Sequence, residues 1–275
     1  MKINSALCRL TSRLHPFAPV IAATVILAFT DSSHASYPVV LHQHTGTADP
    51  TTEGWAVLSF LGATTAGPII DSGTPAWSIV NNTPGDTGAY SVVPTPAEIS
   101  TAATLGWSLQ TTLRVTSPSE TPGGSMLSLY RDGSRSYQMH FGSDGNGNAV
   151  VVLADNSGFD SATGARFTVP GGSVFNTFEL IYSPSAGSAD LFVNGVEEIS
   201  NYTGFAFSQN LLAWGDGATR DLTGLEPGTN TSAGNYYENV FSIVPEPAST
   251  VLLLGSGAML LRRRRRSLHT HERNA

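Results

Sequence analysis

Between residues 37 and 244 no stretch sustains an apolar repeat of 3.6 residues. Apolar and polar positions alternate in short runs broken by Gly, Pro, Asn, Asp and Ser, the pattern of half-buried strands in an antiparallel sandwich or barrel. The clearest run is 107–115. Trp107, Leu109, Leu113 and Val115 share one face, and Ser108, Gln110, Thr112 and Arg114 share the other. Further strands are predicted at 126–130, 136–141, 149–153, 177–182, 189–193 and 196–199, with weaker ones near 39–42, 55–61, 77–80 and 90–93. Asp144-Gly145-Asn146-Gly147-Asn148 and Asn194-Gly195 read as hairpin turns, since Gly and Asn tolerate positive φ. Residues 96–105 predict one short helix, with Pro96 at its start and Gly106 beyond its end. No repeat or linker divides residues 36–243, which are read as one domain.

The two ends of the chain follow a different pattern. Lys2, Arg9 and Arg13 precede a mostly apolar stretch at 17–30, and Ser33-His34-Ala35 then supplies small residues at −3 and −1. This is the layout of a secretory signal peptide, residues 1–35, cut after Ala35; the apolar stretch is too short for an ordinary span. At the other end, Pro245-Glu246-Pro247 breaks the chain before an apolar run at 248–261. Arg262, Arg263, Arg264, Arg265 and Arg266 follow directly. As a helix the run would be about 21 Å long against a hydrocarbon core of about 30 Å, so it predicts a short, transient anchor. Basic flanks stay cytoplasmic, so both ends point inward and the segment between them lies across the membrane.

The order of a Pro-Glu-Pro break, a short apolar helix and an arginine block resembles the PEP-CTERM sorting signal of Gram-negative exopolysaccharide producers, here residues 244–275. The resemblance implies recognition at Pro245-Glu246-Pro247 by an exosortase-type membrane protease. It further implies passing inner-membrane association and release to the cell surface or extracellular matrix.

Composition sharpens the picture once both ends are set aside. Residues 36–244 hold no lysine, five arginines and 18 carboxylates, a net charge of −13 against −7 for the whole chain. Such a surface repels phosphate backbones, which argues against nucleic acid as a partner, and attracts cations, Ca²⁺ included. The single cysteine, Cys8, falls in the signal peptide. The exported domain therefore depends on its core, or on bound metal, rather than on disulfides.

A second resemblance rests on Gly106-Trp107-Ser108-Leu109, on Phe178-Glu179-Leu180-Ile181-Tyr182, and on Ala189-Asp190-Leu191-Phe192-Val193 with its Asn194-Gly195 turn. These elements resemble the laminin-G-like branch of the concanavalin A-like fold. The resemblance implies an all-β fold, a two-sheet antiparallel jelly-roll sandwich. Trp214-Gly215-Asp216-Gly217 and Asn235-Tyr236-Tyr237-Glu238-Asn239-Val240 resemble the family's final strands.

That fold hosts lectins, adhesion modules and glycoside hydrolases, so chemistry has to decide. Retaining glucanases of this fold carry two carboxylates at alternate positions of one strand, and no such spacing occurs. Glu197-Glu198 are adjacent and face opposite sides. There is no Gly-x-Ser-x-Gly elbow. His42 and His44 share a strand face as a candidate metal pair without an identifiable third ligand, and His140, between Met139 and Phe141, is expected to face outward. Asp144-x-Asn146-x-Asn148 spaces oxygens as an EF-hand loop does, but Ala149 replaces the required Gly. Laminin-G-like domains hold Ca²⁺ at a loop-lined rim, which makes Asp155, Asp160, Asp216 and Asp221 candidate ligands by resemblance. For sugars, aromatic faces stack while Asn and Asp bind hydroxyls. Trp214, Asp216, Tyr236 and Tyr237 are the candidate ligand-binding set, in a region read as loop-rich. The expectation is a non-catalytic structural or adhesive protein of a polysaccharide matrix or biofilm, with glycan binding as its candidate activity. A hydrolase or lyase of the same fold and a protein-binding adhesion module are the alternatives.

Overall fold

The computed structural model describes residues 38–61, 64–81, 87–116, 126–144, 146–155, 164–216 and 232–245. In chain order these form β1 (Val39–Thr45), a 3₁₀ turn (Pro50–Glu53), β2 (Ala56–Leu61), β3 (Thr65–Asp71), β4 (Thr74–Asn81), β5 (Thr87–Val92) and α1 (Pro96–Leu105). Next come β6 (Trp107–Val115), β7 (Met126–Asp132), β8 (Arg135–Ser143), β9 (Ala149–Leu153) and β10 (Arg166–Val169). The last are β11 (Asn176–Ser183), β12 (Ser188–Val193), β13 (Val196–Tyr202), β14 (Phe205–Ala206), β15 (Asn210–Asp216) and β16 (Ser232–Ile243).

The strands build two antiparallel sheets packed face to face, a jelly-roll sandwich. The first runs β13-β12-β11-β6-β16-β4-β3, with β1 beside β16, and the second runs β10-β9-β8-β7-β15-β5-β2, with β14 beside β8. In the first sheet β16 is central. It pairs with β6 along most of its length, while β4 takes its other edge at Ser232–Tyr236 and β1 takes over from Glu238 to Ile243.

Alternation decides which residues fill the space between the sheets. On β6 the inward set is Trp107, Leu109, Leu113 and Val115, as the sequence predicts, each at most 5% exposed. Across the gap Trp107 packs edge-on against Tyr130 and Tyr137, and within its own sheet it stacks on its strand partner Tyr182. Aromatic pairs of this kind add about 0.5–1.5 kcal/mol each beyond their buried area. The cysteine-free core is therefore held by rings.

The local signals behave as the sequence predicts. Asn194 and Gly195 turn the β12–β13 hairpin at φ of 52° and 82°, and Asn194 Oδ1 also accepts from the Thr177 backbone N–H. Helix α1 starts at Pro96 and closes before Gly106, with a capping box in which Thr95 and Glu98 serve each other's backbone N–H. Trp214-Gly215-Asp216 and Asn235 to Val240, which resemble the family's final strands, lie in β15 and β16 at the middle of the two sheets, not in the loop-rich setting expected for the ligand set. Among the described residues no helix is long and apolar enough to cross a membrane. The predicted signal peptide with Ala35, the apolar run, Glu246, Pro247 and Arg262 to Arg266 lie outside the described residues.

Candidate functional site

Three of the four predicted ligand residues point into the sandwich. Trp214 and Asp216 on β15 and Tyr236 on β16 are 1%, 0% and 0% exposed. Trp214 sits among Trp55, Tyr90 and Tyr236 with ring centroids 5.0–5.9 Å away. Tyr236 donates its hydroxyl to Gly215 O at 2.9 Å and Leu127 O at 3.3 Å, and burial pushes its ionisation far upward. The region read as loop-rich is strand, so these side chains follow the pleat inward and offer no ring face to a surface ligand. Tyr237, at the bulge of β16, is half-buried.

The histidine pair of β1 also turns inward. His44 is fully buried, stacks on Trp214 at 4.6 Å, and meets Glu53 Oε2 through Nδ1 at 2.6 Å. Burial lowers its pKa against the opposing pull of Glu53. His42 Nε2 faces Glu98 Oε1 at 3.4 Å. The two imidazoles thus pin β1 to the 3₁₀ turn and to α1. Among the described residues no group of three or more His, Cys, Asp or Glu is placed to hold a metal ion.

The Asp144 carboxylate is consumed by its own turn. Oδ1 accepts from the backbone N–H groups of Asn146 and Asn148, and Oδ2 accepts from Asn148 Nδ2. The hairpin reading of that segment therefore stands over the EF-hand one. Asp155 is exposed, while Asp160 and Asp221 lie outside the described residues.

His140 faces away from the core, as alternation predicts, yet it is only 7% exposed. Its Nε2 pairs with Gln138 Oε1 at 3.0 Å, and burial pushes its pKa down to about 4. The other outward residues of that second sheet include Leu127, Leu129, Leu211 and Ala213, all buried. Among the described residues the middle of that face is covered, and the exposed polar groups Arg166 and Thr168 stand on its edge strand β10.

The outward face of the first sheet is different, and it was not anticipated as a site. One row runs straight across six strands: Glu197, Phe192, Glu179, Gln110, Val240 and Gln43. At about 4.8 Å between strands the row is about 24 Å long. The neighbouring row is Thr177, Thr112, Glu238 and Thr45. Hydrogen bonds fix these side chains in place. The Glu238 carboxylate accepts from Gln43 and from Gln110, each at 3.1 Å, Thr112 bonds Thr177 at 2.9 Å, and Ser108 donates to Glu179. At the margin Arg114 donates to Asp71 and Ser173, and Asn235 donates to the other Asp71 oxygen at 2.6 Å. Burial alone would raise the Asp71 pKa; the bonds from Asn235 and Ser72 and the Arg114 charge more than offset it and hold it low. Glu179, Gln110, Glu238 and Phe192 all remain partly open to solvent. The result is a prearranged array of carboxylate, amide and hydroxyl groups beside one half-buried ring. The signal was present in the sequence as the polar face of residues 107–115.

Comparison with known proteins adds two findings. Residues 244–266 match the PEP-CTERM protein-sorting motif. The chain therefore carries an exosortase sorting signal: it is exported, held transiently in the membrane, and then processed. Among solved structures, it is similar to a carbohydrate esterase from the Shiga toxin-encoding bacteriophage phi24B, with a TM-score of 0.54 at 9% identity, covering 75% of this chain and 99% of that one. A botulinum neurotoxin type C structure, described as dependent on two ganglioside molecules for cell entry, aligns at a TM-score of 0.47 and 12% identity over 80% of this chain. The binding domain of botulinum neurotoxin serotype D/C aligns at 0.48 and 13% over the same share. The chain spans about half the length of these neurotoxin chains, 51% and 52%. The likeness to the esterase bears on fold alone, and agrees with the jelly-roll architecture. No curated protein matches the chain in sequence.

Proposed function

We propose that the exported domain is a non-catalytic glycan-binding module of an extracellular polysaccharide matrix, and that it binds through the outward face of the first sheet. The observation that supports this is the hydrogen-bonded row centred on Gln110 and Glu238. Sugar hydroxyls need fixed donors and acceptors, and their C–H faces need an apolar surface. Gln43, Gln110, Thr112, Glu179 and Glu238 supply the first and Phe192 the second. Because protein partners already hold these groups, little side-chain entropy is lost on binding. The test is affinity electrophoresis through gels containing the polysaccharide of the source matrix, with Gln110→Ala and Glu238→Ala variants. Retardation of the parent domain and at least a tenfold weaker interaction for each variant, at unchanged Tm, is expected. Equal mobility of parent and variants would remove this face from the account.

One observation favours a hydrolase or lyase instead. Glu179 and Glu238 stand on the two strands flanking β6, opposite Gln110 and Thr112, and glycoside hydrolysis uses a pair of carboxyl groups. Release of reducing or unsaturated ends, abolished by Glu179→Gln or Glu238→Gln, would establish that reading. Binding without product release supports the non-catalytic one.

A further inference from the structure

The two ends of the described domain leave it side by side. Val39 pairs with Ile243 at the junction of β1 and β16, and the Val244 N–H donates to Gly106 O at 3.2 Å. Val244 is thus the last of the described residues pinned to the sandwich, and the apolar segment of the sorting signal begins at Ala248. Four steps of fully extended chain reach at most about 14 Å. The headgroup layer on one side of a bilayer takes up roughly 6 Å of that, leaving less than the width of one helix. A 14-residue apolar run is itself short for the hydrocarbon core and draws the domain closer still.

The surface at this end is suited to such contact. Val39, Val40, Val93 and Leu105 are 57%, 50%, 66% and 40% exposed, and all four surround the point of exit. Val93 follows β5 where it runs out past Leu212, and Leu105 ends α1 next to Gly106. Charged groups described near this end are hydrogen-bonded within the fold. Glu98 accepts from Thr95 and faces His42, Asp132 accepts the backbone N–H groups of Ser134 and Arg135, and Arg135 donates to Thr203 O.

We infer that, before cleavage, the end of the sandwich bearing Val39, Val40, Val93 and Leu105 lies against the bilayer, and that the sorting protease works in the narrow gap beneath it. This rests on the membrane-anchored reading of the tail. The orientation also leaves the polar face of the first sheet standing upright from the membrane, open to ligand before release.

The mature chain is free of cysteine, which makes the test clean. Chain lacking residues 1–35 but with its sorting tail uncut, carrying Val93→Cys, Leu105→Cys or Val174→Cys, is placed in lipid vesicles and labelled with an environment-sensitive thiol dye. Val174 is 51% exposed and lies before β11, at the opposite end of the sandwich. Lipids with a headgroup quencher should reduce the signal of the first two variants at least threefold more than that of the third. Equal quenching of all three in chain that floats with the vesicles would overturn the apposition while leaving the anchor intact. Chain that fails to float would overturn both.

Discussion

His140 shows how much one side chain's setting can differ from its position in the pleat. Burial holds the imidazole neutral in the fold, with a pKa of about 4 against 6.5 for a free histidine. The unfolded chain therefore binds more protons between these values, and stability falls as pH drops from about 6.5 towards 4. The linked energy is on the order of 3 kcal/mol at its upper bound. His44 is shifted in the same direction and adds to the slope. Below that window the depressed carboxylates Asp71 and Glu98 lose their stabilising charge in turn. Thermal melts at pH 7.5, 6 and 5 should show Tm falling with acidification, and His140→Gln should flatten that fall; parallel curves for parent and variant would reject the assignment. The outward direction of His140 was legible in the flanking Met139 and Phe141. Its burial was not, because alternation reports which way a side chain points and not what surrounds it. Trp214 and Tyr236 illustrate the converse: their ring chemistry suits a sugar, but only the strand register reveals that they face the core.

At the scale of elements, capping and turn chemistry were the most legible part of the fold. Helix α1 has the predicted limits because Pro96 and Glu98 favour its start and Gly106 its end. Thr95→Ala removes the cap and should cost about 1 kcal/mol, read as a lower midpoint in urea with an unchanged slope. Gly106 carries more than a helix end. At φ of 102° a Cβ there would meet Tyr182 O and Val244 O, each at 2.8 Å. Gly106→Ala should therefore destabilise by roughly 1–3 kcal/mol through backbone strain, before any clash is added. If its Tm matches the parent, the tight exit of β16 is not needed for stability. Strand β15 was legible by resemblance, but its setting was not, for a related reason. Trp214 and Asp216 were expected in a loop-rich region, yet Gly215 is there because a Cβ would meet Gly88 O at 2.5 Å across the sheet. Composition records the glycine but cannot tell a turn from a close crossing.

For the whole molecule, the central place of β16 links folding to export. The last described strand joins β6 to both β4 and β1, so the first sheet cannot close until Ile243 has been made and moved across the membrane. Only Val244, Pro245, Glu246 and Pro247 then separate the finished fold from the anchor. Replacing Pro245, Glu246 and Pro247 together by alanine should block processing, leaving a longer chain in the membrane fraction whose Tm equals that of the released form, because β16 and Val244 are unchanged. A chain stopping at Pro245 should fold to the same Tm. A chain stopping at Asn239 should not fold, since it loses Phe241 and Ile243 from beneath Trp107 and the pairs that hold β1. Circular dichroism melts of the three chains, with membrane fractionation of the first, decide the matter. A stable chain ending at Asn239 would mean that the sandwich can close before its tail has crossed, and would uncouple folding from sorting.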